Sequence, residues 1–385
     1  MEHSRNPAIA AEIMIRFAEN TGVTGTGKPR RYLWTDAFAV ANFLELHTLT
    51  GCGIYKDLAL RLVDQVHSVL GRHRDDDARS GWISGLAEEE GAAHPTAGGL
   101  RIGKILTERR LGEGLDRQLE WDRDGQYFHY LTKWMQALHL VSKKTGKEIY
   151  DSWARELAGA AHAGFVYRPA PGAPKLMYWK MSIDLSYPLI TSMGHHDPLD
   201  GYITYLELRS PAGEELRRET AELEVFCRGR DWTTDDPLGI GGLMADSLRL
   251  ARLMAAGVEV QRGLLEKMLS AAAQGLRHYI LQKPTRQPAE YRLAFRELGL
   301  AIGLHAESSI GKYLGDLAQR MEDPDTAADA LKTVSMYRDL ATTIPQFWLV
   351  PANQQGAAWA SHRDINMVML ATSLLPRGVL GEEEK

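Results

Sequence analysis

Apolar residues recur at helical spacing along most of the chain. Between Glu120 and Gly146 they fall at Tyr127, Phe128, Leu131, Trp134, Met135, Leu138 and Val141. Positions three and four apart share one face of an α-helix, so this segment is predicted to form a mostly buried helix. Asp124 can cap its start, and Thr145-Gly146 is a signal for its end.

The same buried type of helix alternates with an amphipathic type. The run that follows Thr35 or Asp36, a possible cap, is apolar nearly all round and ends at Thr50-Gly51. Residues 54–72 carry one apolar and one charged stripe, which is typical of a solvent-facing helix. No strand-like alternation competes with this reading. The pattern predicts six buried helices with outer partners, beginning near residues 36, 124, 184, 236, 297 and 364.

Helical hairpins in series either stack as an open solenoid or close into a ring. An open stack of six pairs would leave both end faces exposed, so we predict an all-α (α/α)6 toroid that forms a single domain over residues 1–385. Residues 73–119, rich in glycine and charge, are predicted to be an insertion between the first two hairpins. Its apolar residues, Trp82, Ile83, Leu100 and Ile102, predict that it is partly packed.

Composition narrows the possible partners. The chain has a net charge of -5 and no basic stripe with interleaved aromatics, which argues against a nucleic-acid partner. No apolar run approaches the ~18 residues of a membrane span, and no signal peptide is recognisable, so no membrane partner is expected. Two cysteines in 385 residues favour a reducing, cytoplasmic location. The sequence carries no signal for the oligomeric state.

The segment Leu33-Trp34-Thr35-Asp36-Ala37-Phe38 is similar to the Trp-x-Asp openings of inner helices in unsaturated glucuronyl hydrolases. The hairpin pattern as a whole resembles the six-hairpin sugar-enzyme superfamily, which also includes other glycoside hydrolases and the N-acylglucosamine 2-epimerase family. This resemblance implies an (α/α)6 toroid acting on a small sugar-like molecule without a cofactor. The paired catalytic histidines of the epimerases would correspond to His195 or His196 and to His362.

In a ring of hairpins the N-terminal ends of the inner helices gather at one mouth. The candidate catalytic acids are therefore Asp36, Asp124, Asp184 and Asp236. Crowded carboxylates push their pKa values apart, so that one can act as an acid and another as a base. Glycoside hydrolysis needs such a pair. The alternative for each residue is an ordinary helix cap.

The candidate substrate-binding residues are aromatic, histidine or charged side chains near the same helix starts. A tryptophan face can stack on a sugar ring, although core packing is the alternative. Histidine titrates near neutral pH and can move protons. Adjacent histidines point in different directions, so no metal site is predicted. The set is Trp34, Trp121, Tyr127, His129, Trp179, His195, His196, Trp232, His362, Arg363 and Asp364.

Three functions stay open at this level. The favoured one is a glycoside hydrolase that uses an Asp pair at the mouth of the toroid. The second is a sugar epimerase or isomerase that uses histidine acid/base chemistry. The third is a non-catalytic helical scaffold that binds a partner, for example through residues 73–119.

Overall fold

The computed structural model describes residues 6–209 and 215–381. These residues form two compact units, which are described separately. The N-terminal unit runs from residue 18 to residue 227, and the C-terminal unit combines residues 6–17 with residues 228–381. The first helix, α1 (Asn6–Asn20), contains the point of division. Helices are the main secondary structure of both units.

The N-terminal unit consists of three helical hairpins and an insertion. In chain order its helices are α2 (Leu33–Thr50), α3 (Gly53–Leu70), α4 (Glu88–Ala93), α5 (Arg117–Glu120), α6 (Phe128–Thr145), α7 (Ile149–Phe165), α8 (Asp197–Leu208) and α9 (Arg217–Cys227). The inner helix α6 packs between α2 and α8, and each inner helix carries its outer partner, α3, α7 or α9. The short helices α4 and α5 lie in the insertion.

The C-terminal unit is also built from inner helices with other helices packed outside them. Its helices are α10 (Pro237–Ala255), α11 (Leu264–Leu281), α12 (Ala294–Leu304), α13 (Glu307–Leu317), α14 (Pro324–Ser335), α15 (Leu340–Leu349), α16 (Ala357–Ala360), α17 (Arg363–Leu374) and α18 (Arg377–Leu380). The inner helix α12 packs between α10 and α17. Helices α11 and α14 pack on each other on the outer side, and α15 covers α12 and α17.

Five short strands lie beside the helices of the N-terminal unit. They are β1 (Gln126–Tyr127), β2 (Val166–Tyr167), β3 (Leu176–Met177), β4 (Lys180–Met181) and β5 (Pro188–Ile190). Strand β4 pairs antiparallel with both β1 and β5, so that Tyr127 lies opposite Lys180. Strands β2 and β3 form a separate antiparallel pair. None of these strands was predicted from the sequence.

The predicted fold class, all-α with six helical hairpins of the (α/α)6 type and an insertion between the first two, is confirmed. Five inner helices begin within four residues of their predicted starts. The third was placed wrongly, because the segment after Asp184 forms the β4–β5 hairpin and the inner helix begins at Asp197. Asp124 is not a helix cap either: α6 begins at Phe128, and Tyr127 occupies the cap position. That residues 1–385 form a single domain remains our prediction.

Burial along the first hairpin follows its sequence pattern. From Leu33 to Leu46, every residue of α2 except Phe38 is buried. Helix α3 buries a single stripe that includes Leu58, Leu62 and Val66. The predicted end at Gly51 is confirmed, because this residue adopts a left-handed conformation with φ 69° that a residue with a side chain rarely adopts.

Glycines allow the inner helices α10 and α12 to approach closely. A Cβ atom added at Gly241 would lie 2.1 Å from the backbone oxygen of Gly299, and one added at Gly303 would lie 2.2 Å from the oxygen of Gly241. Real side chains essentially never make contacts that short. The backbones of the two helices therefore touch at a point where only glycine fits.

The insertion is packed against the rest of the N-terminal unit, as predicted. Leu100 and Ile102 have no exposed surface, and Trp82 is 6% exposed. The Gln126 side chain accepts a hydrogen bond from Leu100 N and donates to the carbonyl oxygens of Gly98 and Ile183. Within the described residues, no helix is both long and apolar enough to cross a membrane.

Candidate active site

Two of the four predicted catalytic acids are buried in ion pairs of the N-terminal unit. Asp36 lies 3.5 Å from the Arg31 guanidinium and accepts a hydrogen bond from Tyr32 N at 3.0 Å. Asp124 has no exposed surface, and its Oδ2 accepts from Arg74 at 3.2 Å and Arg101 at 2.9 Å. These contacts are those of structural carboxylates.

Asp184 is the most accessible predicted acid of this unit. It lies in the turn between β4 and β5 and accepts hydrogen bonds from Ser182 at 2.8 Å and Arg79 at 2.7 Å. Arg79 also binds two further carboxylates, Glu108 and Asp77. Burial raises the pKa of Glu108, whereas hydrogen bonds from Ser186 and Ser182 outweigh burial and lower the pKa of Asp184. One arginine therefore joins two carboxylates whose pKa values are shifted in opposite directions.

A cluster of aromatic rings lies beside the N-terminal end of α6. We call it the aromatic site, and it comprises Trp121, Tyr127, His129, Tyr130 and Trp179. The His129 imidazole stacks on the Trp179 indole with centroids 6.3 Å apart and an interplanar angle of 20°. Trp121 meets the Trp179 ring edge-on at 5.6 Å, and its side chain is half exposed. A flat apolar substrate face could thus reach these rings from solvent.

His129 faces a carboxylate on the neighbouring inner helix. Its Nδ1 lies 3.5 Å from Oδ2 of Asp197, the first residue of α8. The Asp197 carboxylate folds back over Gly194, where an added Cβ would lie 2.3 Å from its Oδ1. The lack of a side chain at position 194 is therefore what allows Asp197 to reach this position. His129 keeps 29% of its side chain exposed and Asp197 only 8%.

Three polar atoms of this region are buried without a hydrogen-bond partner. They are Tyr127 Oη, His129 Nδ1 and Asp197 Oδ2. An unsatisfied buried polar group costs roughly 1–3 kcal/mol. A substrate that supplied donors and acceptors here would recover that free energy. Burial raises the pKa of Tyr127, so its hydroxyl stays protonated at neutral pH and is available as a donor.

Helices α6 and α8 are joined below His129 by further polar contacts. Lys133, one turn along α6, donates to Asp200 at 3.0 Å. Gln136 donates to Asp200 at 2.8 Å and to Thr204 at 3.0 Å. These bonds fix how α6 and α8 lie along each other. They therefore also fix the separation between His129 and Asp197.

Three further candidate residues of the N-terminal unit, His195, His196 and Trp34, lie at or near the starts of inner helices. His195 and His196 precede α8, with ring centroids 4.5 Å apart, and His196 is its N-cap residue. Trp34 lies in the first turn of α2, where it is buried and packs on Phe38 with centroids 4.6 Å apart. Among the described residues, no group of three or more His, Cys, Asp or Glu side chains is placed to hold a metal ion.

Some of the candidate residues of the C-terminal unit lie close together, around the starts of α10, α12 and α17. Asp236 caps α10 by accepting from Leu238 N, as the order Asp236-Pro237 predicts, and it pairs with Arg296 at 2.8 Å. The neighbouring Phe295 packs edge-on against His362 at 5.3 Å. The two residues that follow His362 differ in exposure: Arg363 is exposed and Asp364 is partly buried. This small cluster brings an acid, an arginine, an aromatic ring and a histidine together.

Trp232 does not join that cluster. It is buried, with 1% exposed surface, and lines a pocket of about 740 Å³ beside α11 and the start of α14. Polar and charged residues, including Glu266 and Lys267, form much of the lining. None of the other predicted site residues lines this pocket.

Sequence reasoning missed Asp197 and Tyr130. Asp197 could have been found, because Asp197-Pro198 repeats the order of Asp236-Pro237 at the start of a helix. Tyr130 follows His129 directly, and its hydroxyl lies 2.8 Å from the Tyr32 hydroxyl. That contact spans 98 residues of sequence, and no local pattern indicates it.

No family model and no curated protein matches the chain. Among solved structures it is similar to the cellobiose 2-epimerase from Spirochaeta thermophila, with 12% identity over 90% of this chain and 87% of that one and a TM-score of 0.47. A sugar epimerase from a ruminal bacterium shows 10% identity over 88% and 86%, with a TM-score of 0.47. The unsaturated glucuronyl hydrolase from Bacillus sp. GL1 shows 14% identity over 97% and 96%, with a TM-score of 0.37.

Both kinds of enzyme named from the sequence, sugar epimerases and unsaturated glucuronyl hydrolases, thus occur among the similar structures. The resemblance to the six-hairpin sugar enzymes is confirmed to that extent. Every identity is below 25% and every TM-score is below 0.5. We therefore transfer no residue role and no reaction from them.

Proposed function

We propose that the chain is a carbohydrate-active enzyme that binds a sugar-like substrate at the aromatic site and uses His129 to move a proton. The observation that carries this proposal is the position of His129, which stacks on Trp179 and lies 3.5 Å from Asp197. A histidine with a carboxylate on one ring nitrogen is an arrangement suited to general acid/base chemistry.

The proposed chemistry follows from the two ring nitrogens. The carboxylate beside Nδ1 favours the tautomer that carries its proton there, which leaves the Nε2 lone pair to act as base. In an epimerisation, Nε2 would take the proton from a carbon next to the substrate carbonyl, and the bonding electrons would form an enediolate. The enediolate must then turn its opposite face to the imidazolium by rotation about an adjacent C–C bond, so that return of a proton from Nε2 inverts that carbon, while Asp197 stabilises the imidazolium in between. Trp179 would hold the apolar face of the sugar.

Hydrolysis by the predicted Asp pair is less well supported. Each of the four predicted acids has an arginine within 3.5 Å: Asp36, Asp124 and Asp184 in the N-terminal unit and Asp236 in the C-terminal unit. Each of the four is thus held by a different arginine, whereas glycoside hydrolysis needs two carboxylates set close together.

Glycoside hydrolysis remains a second candidate because of a different pair. Glu108 has a raised pKa owing to burial, while Asp184 has a lowered one, and both contact Arg79. An acid and a base whose pKa values are pushed apart form the combination that glycosidases use. In this version Glu108 would protonate the leaving group and Asp184 would act as base or nucleophile.

A deuterium experiment separates the two candidates. The purified protein is incubated in D₂O with glucose, mannose or cellobiose, and NMR follows deuterium at C2. In parallel, a set of 4-nitrophenyl glycosides reports hydrolysis by release of 4-nitrophenol. Proton transfer by His129 predicts deuterium uptake without nitrophenol release.

The decisive variant is His129→Gln, which should lower the rate of deuterium uptake by about 10²–10⁴-fold. The matched control is His139→Gln, because His139 lies on the same helix and also faces an aspartate, Asp151, at 2.7 Å. Equal rates in both variants would reject the role of His129. Nitrophenol release that Glu108→Gln abolishes would support hydrolysis instead. If the protein shows neither deuterium uptake nor nitrophenol release, the result would favour the third hypothesis, a non-catalytic helical scaffold.

A further inference from the structure

Lys104 places a positive charge next to the aromatic site. Its Nζ lies 5.3 Å from the centroid of the Tyr32 ring. The Tyr32 hydroxyl lies 2.8 Å from that of Tyr130, whose ring packs edge-on against His129 at 4.8 Å. The lysine thus adjoins the proposed substrate site through two tyrosines in contact.

The backbone that carries Lys104 is held firmly. Asp124 Oδ1 accepts hydrogen bonds from Gly103 N at 2.9 Å and from Lys104 N at 3.3 Å. Arg74 donates to the carbonyl oxygen of Lys104 at 2.6 Å. Asp124 therefore acts as a clamp for this loop. Groups held in place before binding lose little entropy when a ligand arrives.

The Lys104 ammonium lacks a counter-ion of its own. Among residues 6–209 and 215–381, it forms no ion pair, and the charges of Asp122 and Asp124 act only from a longer distance. The ammonium is partly buried, and this burial lowers the pKa of Lys104. Taking an ammonium out of water without pairing it costs free energy.

Lys180 is the informative comparison within the same unit. It is also buried next to a tyrosine ring, with Nζ 5.3 Å from the centroid of Tyr127. Its ammonium, however, donates to Glu120 Oε1 at 2.9 Å and to the carbonyl oxygens of Glu120 and Arg123 at 2.8 Å. The fold pairs the Lys180 ammonium with a carboxylate, whereas in the described part of the chain the Lys104 ammonium faces the Tyr32 ring and forms no ion pair. An anionic ligand would supply a negatively charged partner for the Lys104 ammonium.

We infer that Lys104 forms an anion subsite of the aromatic site, so that the substrate is a sugar that carries anionic oxygens, either a phosphate or a carboxylate. The inference rests on the proposed sugar site. A lysine ammonium is a compact point charge with several donors, and it suits the oxygens of either group.

Binding measurements test this directly. Isothermal titration calorimetry at pH 7 compares glucose, glucose 6-phosphate, glucuronate and inorganic phosphate as probes. Wild-type protein should bind at least one anionic sugar about tenfold or more tightly than glucose, and added salt should reduce the difference. The anionic sugar whose affinity exceeds that of glucose by the larger factor shows whether the site prefers a phosphate or a carboxylate. Equal binding of all three sugars would overturn the proposal.

Three variants identify the group responsible. Lys104→Met should remove the preference for the anionic sugar and leave glucose binding unchanged, while Lys104→Arg should keep most of it. Lys143→Met, at an exposed lysine near the end of α6, is the control and should bind as wild type does. A Lys104→Met protein that weakens all sugars equally, or none, would contradict the subsite. Circular dichroism and melting temperature confirm that each variant folds.

The two proposals can fail separately. Binding of phosphate that depends on Lys104, without binding of any sugar, would support the anion subsite and contradict the sugar site. If glucose binds, if this binding is lost in Trp179→Ala and if anionic sugars bind no more tightly, the sugar site would be supported and the anion subsite contradicted.

Discussion

The indole Nε1–H of Trp134 donates a hydrogen bond to Nε2 of His67 across 3.1 Å. Trp134 lies on α6 and His67 on α3, and both are buried. Accepting this bond requires an unprotonated Nε2. Burial lowers the pKa of His67 to about 3, so the residue stays neutral in the folded protein at pH values where it is charged in the unfolded chain.

This pair predicts a loss of stability in acid. Because the folded pKa lies below the unfolded value of 6.5, the unfolded chain binds more protons as the pH falls from 6.5 towards 3. His67 should therefore lower the free energy of unfolding by about 2 kcal/mol at pH 5 relative to pH 8. Urea unfolding of the wild type and of His67→Gln at both pH values measures the contribution of His67 to this change in unfolding free energy. The same pH dependence in the two proteins would contradict the assignment.

The contact between α10 and α12 predicts opposite effects at adjacent glycines. Gly241→Ala would force a methyl group onto Gly299 O and should cost at least about 2 kcal/mol of unfolding free energy. Gly242→Ala meets nothing within 4 Å in the same helix and should stabilise by up to about 1 kcal/mol. Thermal or urea unfolding of the two variants checks this. Similar effects of both substitutions would rule out the close approach.

The buried ion pair between Lys180 and Glu120 should be costly to break from one side. Lys180→Met leaves the Glu120 carboxylate without its lysine and should destabilise the protein by about 3 kcal/mol. Glu120→Gln retains an acceptor for Arg109, which contacts Glu120 at 3.1 Å. The double variant should be less destabilised than the sum of the single variants by about 1–3 kcal/mol. Additive losses in a double-mutant cycle would show that the two charges do not interact.

Trp179 should matter for sugar binding more than for folding. Trp179→Ala removes the ring on which His129 stacks and should weaken the binding of a sugar by about 3–10-fold. Trp153→Phe, on the outer helix α7, is the control, and its binding should stay unchanged. Tryptophan fluorescence or calorimetric titration gives both affinities. Equal affinities in the two variants would exclude stacking at Trp179.

The inner helices were predictable because their periodicity is a local property of the chain. Gly51 and Gly146 mark helix ends that the structure reproduces with φ values of 69° and 70°. The third inner helix was misplaced because the apolar residues around Pro188 resemble a helix segment when they are read alone. These residues form β5, which pairs with β4, and β4 in turn pairs with β1, more than fifty residues before it in the chain.

The roles of the acids were harder to predict. Nothing near Asp124 in the sequence indicates that Arg74 and Arg101, 50 and 23 residues away, would surround it. The meeting of His129 with Asp197 likewise depends on how α6 packs against α8. Sequence could predict which residue types gather at helix starts. Which of them are neutralised by a neighbour depends on packing between distant segments.

The hydrogen bonds of Gln126 bear on any attempt to shorten or recombine this protein. Its side chain joins residues 98–100 to Ile183, and the ion pair between Arg79 and Asp184 adds a second connection between the insertion and the β4–β5 turn. Deleting residues 73–119 would remove the hydrogen-bond partners of Gln126 at Gly98 and Leu100. It would also remove Lys104 and Arg79. A graft between homologous proteins should therefore transfer the long loop and the hairpin together, as one exchangeable cassette.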